Sequence, residues 1–258
     1  MVMGRRGRNA PSDNNELTFL PVQPPRRLWQ KGDVEGAILS GTTTPISLTY
    51  LFDPLCGWCY GASPTLQRLT TSPGIRVTLA PTGLFSGPGA RPMDQDFAAY
   101  AWSHDQRIAK LSGQAFSEAY RVRVLGAIGQ RLDSGPATRA LTAVWMVNPL
   151  DEARALQAIQ AARYVEGRDV TAKSVLIDVL NEAGFSAAAE QFWAADEHLE
   201  AAMAERVRQA QGLMRGLGIQ GVPALLTGEP PRALPAGALF RNFDELLSDL
   251  ALPQPLPA

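Results

Sequence analysis

Two cysteines separated by two residues, between a strand-like run and a helix-like run, constrain the fold of this chain more than any other feature. Cys56 and Cys59 are the only cysteines in the chain of 258 residues. The run 46–52 (ISLTYLF) alternates and ends like a strand, and the apolar residues after Cys59 recur at helical spacing. A helix N-terminus offers unpaired N–H groups and a positive partial charge, which favour a thiolate at Cys56 over a neutral thiol. The pattern therefore predicts a thiol–disulfide centre where a strand turns into a helix.

The composition limits the classes of partner and of stabilisation. Hydrophobic residues make up 45% and charged residues 19% of the chain, which is ordinary for a soluble globular protein. The net charge of −1 gives no reason to expect nucleic acid or an anionic membrane as a partner. No run of about 18 apolar residues is present, so no membrane span is expected. Two cysteines cannot form a disulfide framework, and stability must therefore come from packing.

The N-terminal residues do not resemble an export signal. Arg5, Arg6 and Arg8 are followed by the polar run 10–15 instead of the about 7–15 apolar residues that such a signal needs. We therefore expect a cytoplasmic protein, with export as the alternative if the N-terminus has been processed or trimmed.

The order of elements predicts an α/β fold. In chain order we expect a strand at 46–52, a helix at about 56–69, a strand at 75–79, mostly helix from 93 to about 217, strands at 219–226 and 238–240, and a helix capped by Asn242. The first strand–helix–strand unit implies two parallel strands. A βαβ half and a ββα half around one sheet make a thioredoxin-like fold (βαβ…ββα) with a large all-helical insertion.

These elements divide the chain into five segments. The prediction is an N-terminal extension, partly flexible, at 1–43, the first half of the thioredoxin-like domain at 44–92, the helical insertion at 93–217, the second half of the domain at 218–251, and a C-terminal tail at 252–258. The glycine-rich run 83–89 lacks the lysine and the spacing of a phosphate-binding motif, and we interpret it as a loop leaving the sheet.

The residues around the two thiols suggest their roles. Cys56, nearer the helix end, is the expected nucleophile, and Cys59, one turn further in, is the expected resolving thiol. Gly57 and Trp58 lie beside the sulfur and should influence its potential. The redox-active Cys56–Cys59 disulfide is the only redox group expected, with no separate cofactor and no metal.

Asp53 and Pro54 close the strand before the motif and are candidates for tuning it, because proline cannot donate to a strand ladder. Asp53 could relay protons or oppose the thiolate charge, but a hydrogen bond to the local turn is the favoured interpretation.

A second landmark is the run 221–223 (GVP), which contains Val222 and Pro223. Cis peptide bonds are nearly always found before proline. The tripeptide alone favours trans, but its position just before the penultimate strand favours cis. A cis-proline beside the C-x-x-C motif would leave the neighbouring backbone free to pair with an extended substrate segment.

Together these motifs resemble the DsbA-like thiol–disulfide oxidoreductases, and most closely the branch described as predicted protein-disulfide isomerases. The resemblance covers about 44–226 and rests on 52–61 (FDPLCGWCYG), 104–108 (HDQRI), 111–114 (LSGQ), 164–168 (YVEGR) and 221–223 (GVP). It implies a thioredoxin fold, with Cys56 as nucleophile, Cys59 as resolving thiol and cis-Pro223 facing them. The Gly57-Trp58 pair differs from the Pro-His pair of periplasmic oxidants, which argues against strong oxidase activity.

The predicted function is that of a thiol–disulfide oxidoreductase or isomerase acting on protein or peptide thiols and disulfides. Glutathione or a redox partner protein is a further candidate partner. The direction of electron flow and the oligomeric state stay open.

Three alternatives remain. A zinc site would need two more ligands, and the only histidines, His104 and His198, lie far apart without a second C-x-x-C motif. A glutathione-dependent transferase or isomerase of the related helical-insertion type would leave Cys59 without a role. The third alternative is a non-catalytic binding or chaperone-like protein. His104 could line a substrate groove, although a packing histidine is the favoured interpretation.

Overall fold

The computed structural model describes residues 45–251, so the predicted N-terminal extension and C-terminal tail lie outside the described residues. The strands are β1 (Ile46–Phe52), β2 (Ile75–Pro81), β3 (Arg91–Pro92), β4 (Arg131–Leu132), β5 (Ala224–Thr227) and β6 (Arg232–Ala233). The helices are α1 (Gly57–Gly61), α2 (Ser63–Thr71), α3 (Gln95–Ser112), α4 (Glu118–Tyr120), α5 (Gly135–Val147), α6 (Glu152–Tyr164), α7 (Lys173–Glu182), α8 (Ser186–Ala194), α9 (Glu197–Gly216) and α10 (Phe243–Ala251).

Four strands form one mixed sheet in the order β2-β1-β5-β6. β1 and β2 are parallel, with Ile46 opposite Ile75 and Phe52 opposite Pro81. β5 runs antiparallel to β1, and β6 runs antiparallel to β5. This arrangement confirms the predicted thioredoxin-like fold.

β1 is one of the two interior strands of the sheet, and its two faces bury different residues. Leu48, Tyr50 and Phe52 belong to the main hydrophobic core. Leu51 points the other way and clusters with Ala210 of α9. Because side chains alternate along a strand, both faces of β1 are covered, and its last three residues are fully buried.

The first helix is broken where the sequence suggested continuity. α1 ends at Gly61 and α2 begins at Ser63, with Ala62 between them. Pro64 lies in the first turn of α2 and has no N–H to donate, so it fits a new helix start better than a helix interior.

The insertion between β2 and β5 is mostly helical, as predicted. Two features go beyond the prediction: β3 pairs with β4 in a two-residue antiparallel ladder, and α4 continues into a π-helical turn at Arg121–Leu125. α5 begins at Gly135 with Pro136 in its first turn, and α6 begins at Glu152.

The second half of the domain differs from prediction in its strands. The run 219–226 yields a strand only at β5, and the strand expected at 238–240 is instead a 3-10 turn. The partner of β5 comes earlier, because Gly228 adopts a positive φ of 83° and turns the chain back at once. Phe240 is left to pack its ring against Trp58 at 5.4 Å instead of joining the sheet.

A buried ion pair ties the insertion to the sheet. Arg206 of α9 donates to both carboxylate oxygens of Glu152 at 2.6 and 2.8 Å, and to the Leu79 carbonyl of β2 at 3.0 Å. The Arg206 and Glu152 side chains are only 9% and 1% exposed. Loss of either partner would leave a charge buried without compensation.

We therefore predict that Glu152→Ala lowers the free energy of unfolding by about 3–5 kcal/mol, because the Arg206 guanidinium stays buried and unpaired. The matched control is Glu200→Ala, which removes the partner of Arg139 between the neighbouring helices α5 and α9. Glu200 is 41% exposed, so this second variant should lose less than about 1 kcal/mol. Urea denaturation of both variants is the measurement, and equal losses would contradict the prediction.

Candidate active site

A tight turn leads from β1 into α1 and places the first cysteine. The Asp53 carboxylate accepts a hydrogen bond from the Leu55 N–H at 2.9 Å, and the Asp53 carbonyl accepts one from the Cys56 N–H at 3.1 Å. Pro54 lies between them, where its fixed φ suits a turn. Cys56 is the residue that caps α1, with an extended backbone (φ −83°, ψ 120°). The predicted strand-to-helix turn is therefore present.

Cys56 faces the loop before β5. Its thiol donates to the Val222 carbonyl oxygen, with an Sγ–O distance of 3.5 Å across a separation of 166 residues. The Val222–Pro223 peptide bond is cis. The fold thus brings together the two motifs that the sequence separates.

Cys59 lies one turn further along α1 and is more deeply buried. It is 1% exposed, whereas Cys56 is 7% exposed, and both are free thiols. Burial raises the pKa of the Cys59 thiol well above its usual value, and the neighbouring Cys56 raises it further. Cys59 therefore keeps its proton more firmly than an ordinary cysteine.

Asp53 is fully buried behind the turn and has three hydrogen-bond donors. Besides Leu55 N–H, it accepts from the Phe85 N–H at 3.1 Å and from the Ser134 hydroxyl at 2.7 Å. Burial raises the pKa of the Asp53 carboxyl, and these hydrogen bonds offset only part of that rise. The turn interaction favoured from sequence exists, but Phe85 and Ser134 add two contacts that the sequence did not indicate.

An aromatic cluster from the insertion supports the other side of the turn. The Tyr164 hydroxyl donates to the Leu55 carbonyl at 2.7 Å, and its ring stacks on Tyr60 at 4.7 Å. Phe116 and Tyr120 pack edge-on against Tyr164 at 5.1 and 4.9 Å. Tyr164 stood in a segment that carried the family resemblance, which was the only signal for it in the sequence.

The other candidate residues flank this centre. Trp58 is half-buried, with its ring edge-on to Phe240. His104 lies half-buried on α3 and packs against the exposed Tyr100 ring, with ring centroids 4.3 Å apart and ring planes tilted by 41°. Its neighbour Asp105 is the residue of this segment that lies against the motif, because a Cβ added at Gly57 would collide with Asp105 Oδ1.

Within residues 45–251, no group of three or more His, Cys, Asp or Glu side chains converges in a way that could hold a metal ion. Over the same range, no helix is both long enough and apolar enough to cross a membrane.

A thioredoxin-like sheet, with C-x-x-C opening its first helix and a cis-proline facing the first thiol, defines the class of thiol–disulfide exchange enzymes. Comparison with known proteins agrees with that class and narrows it. Residues 48–247 match the DSBA-like thioredoxin domain, and the chain belongs to this family of disulfide oxidoreductases.

Three solved structures resemble this chain over most of its length. Cytosolic disulfide reductase DsbM from Pseudomonas aeruginosa is 32% identical, with a TM-score of 0.70, over 79% of this chain and 96% of its own. Its structure with GSH gives 34% identity and a TM-score of 0.69 over the same shares. A Nitrosomonas europaea protein, assigned provisionally as a protein disulfide isomerase, shares the fold at 23% identity, with a TM-score of 0.66 over 80% of this chain and 95% of its own. No curated protein sequence matches the chain.

The two buried acids of the active site, Asp53 and Asp105, predict how the free energy of unfolding depends on pH. Burial raises the pKa of Asp53, and it raises the pKa of Asp105 to about 7. Each group therefore contributes stability that is fully present below about pH 4 and is lost as the pH rises through its folded-state pKa. We expect the free energy of unfolding to fall between about pH 4 and pH 8, and to fall less in Asp53→Asn, which has no ionisable group at that position.

Urea denaturation at the two pH values measures this difference. Asp96→Asn is the control, since Asp96 is exposed on α3 and should leave the pH dependence unchanged. Parallel curves for the wild type and Asp53→Asn would contradict the prediction.

Proposed function

We propose that this enzyme reduces disulfides of protein or small-molecule substrates through Cys56 and Cys59, with glutathione or a partner dithiol protein as the source of electrons. The observation that carries the proposal is the pairing of Cys56 with the backbone of Val222, beside cis-Pro223, above a resolving thiol buried one helical turn away.

In the first step, the Cys56 thiolate attacks one sulfur of a substrate disulfide. A Cys56–substrate disulfide forms, the substrate S–S bond breaks, and the second substrate sulfur leaves as a thiolate that takes a proton. Cys56 suits this role because it lies at the end of a helix and is the more accessible of the two thiols.

In the second step, Cys59 loses its proton and attacks the Cys56 sulfur. The Cys56–Cys59 disulfide forms, and the reduced substrate thiol is released. Two electrons have then moved from the enzyme dithiol to the substrate. Two glutathione thiols, or one dithiol partner, restore the enzyme by the reverse exchange and leave as a disulfide.

The ionised carboxylate of Asp53 is the base that takes the proton from Cys59. Its carboxylate lies close enough for its charge to raise the pKa of Cys59 further, after the larger effects of burial and of Cys56. The raised pKa of Asp53 itself makes its carboxylate a better base than an exposed aspartate. Protonation of Asp53 removes a buried charge, and this gain offsets part of the cost of forming a buried thiolate at Cys59.

The cis-proline loop is the proposed substrate platform. Val222 presents its carbonyl to the reacting sulfur, and Pro223 has no N–H of its own. An extended substrate segment that pairs with this backbone would be held with its disulfide over Cys56.

The relationship to DsbM supports the reducing direction, the use of glutathione and a cytoplasmic location. That protein is a cytosolic disulfide reductase, and its structure has been solved with GSH. The Gly57-Trp58 pair fits this choice, because the pair found in strong periplasmic oxidants is absent.

Single-cysteine variants test the proposal. In oxidised glutathione, Cys59→Ala should accumulate one glutathione on Cys56, because no resolving thiol is left to release it. Cys56→Ala should remain unmodified, since Cys59 is 1% exposed. Both variants should lose insulin-disulfide reduction, and mass spectrometry of the adducts gives the assignment.

The wild type supplies the complementary measurement. Equilibration in glutathione buffers should give a reversible Cys56–Cys59 disulfide with a defined potential. If no such disulfide forms in any buffer, or if Cys56→Ala keeps full activity, the proposal fails.

A further inference from the structure

Asp105 is a buried acid at the redox centre for which the two-cysteine mechanism has no use. It lies on α3 and is 4% exposed. Its Oδ2 accepts a hydrogen bond from the Tyr120 hydroxyl at 2.9 Å. The same carboxyl faces the first residue of α1, between the two cysteines.

The close approach to Gly57 places this carboxyl beside the residue that follows Cys56. A Cβ at Gly57 would collide with Asp105 Oδ1 and would lie 3.4 Å from Ile108 Cδ1. Gly57 directly follows Cys56, and consecutive Cα atoms are about 3.8 Å apart, so the carboxyl lies against the backbone of the residue next to the nucleophile. The pair also explains why the residue after Cys56 has no side chain.

We propose that Asp105 tunes the redox centre, because its ionised carboxylate opposes the thiolate beside Gly57 and drives the Cys56–Cys59 couple toward the disulfide. The dithiol is then a stronger reductant when Asp105 is charged than when it is neutral. This inference rests on the proposed function of the two cysteines. It assigns Asp105 a positioning role, in which it acts on Cys56 through its charge and not by contact with the substrate.

The surroundings of Asp105 bring its pKa close to neutral pH, so that its charge changes over an accessible pH range. Burial raises its pKa to about 7, against the hydrogen bond from Tyr120 and the charge of Arg163, which both lower it. The groups that face it are Tyr120 from α4, and Arg163 and Tyr164 from α6. In the π-helical turn that also packs on α3, Arg121 and Arg123 are exposed to solvent.

Tyr164 connects Asp105 with the thiol electrostatically. Burial is the main reason that the pKa of Tyr164 is raised, and the charges of Asp105 and Cys56 both add to that rise. One buried ring is therefore within electrostatic reach of both groups. A charge in this poorly hydrated region is screened less than a surface charge.

The test compares the wild type, Asp105→Asn and Asp96→Asn in glutathione buffers. Asparagine is close to aspartate in size and can still accept from Tyr120, but it cannot ionise. At about pH 8.5, Asp105→Asn should shift the equilibrium toward the dithiol by about three- to tenfold relative to the wild type. At about pH 5.5, where Asp105 is protonated, the two proteins should agree. Asp96→Asn, on the exposed side of the same helix, should match the wild type at both.

The outcomes separate the two proposals. An equal shift at both pH values would indicate a structural role and overturn the assignment of Asp105, as would no shift at either pH. A wild type that forms no Cys56–Cys59 disulfide would overturn the proposed function and this inference together.

Tyr120→Phe gives a second, independent test. It keeps the ring but removes the donor to Asp105 Oδ2, so the carboxylate is less favoured. In the wild type, the dithiol–disulfide equilibrium differs from that of Asp105→Asn only above the pH at which Asp105 ionises. In Tyr120→Phe this difference should begin at a higher pH. A difference that begins at the same or a lower pH would contradict the proposal.

Discussion

The three hydrogen bonds accepted by the buried carboxylate of Asp53 are the interaction on which the redox centre depends. They come from the Leu55 N–H in the turn itself, from the Phe85 N–H in the loop after β2, and from the Ser134 hydroxyl before α5. One side chain thus joins the end of β1, the loop after its parallel neighbour β2 and the start of α5 in the insertion. Because a buried carboxylate is costly without such partners, these three segments are held in one arrangement.

The insertion does more than cover the sheet. It supplies Tyr164, which holds the Leu55 carbonyl, and Asp105, which lies against Gly57. The opposite wall comes from the other half of the domain, where the Val222 carbonyl accepts from the Cys56 thiol. The surroundings of the C-x-x-C motif are therefore supplied by residues from distant parts of the chain.

Burial and charge act against each other throughout this centre. Desolvation raises the pKa of Asp53, Asp105 and Cys59, while nearby donors lower the pKa of the two acids only in part. Stability is lost when these groups ionise, whereas thiol exchange needs ionised sulfur and a proton acceptor. The ionised forms of these groups are therefore less stable in this centre than they would be in water, and they are more reactive for that reason.

Local sequence patterns were enough to predict the strand before Cys56, the helix start at the motif, the parallel strand pair and the long helical insertion. Alternation and turn chemistry act over a few residues, so they can be read without the fold. Three other features became visible only in the folded chain: 238–240 is a turn packed on Trp58, Ser134 and Phe85 bind Asp53, and Asp105 rather than His104 lies against Gly57. These contacts join residues far apart in the chain, and their energies depend on burial, which no local pattern records.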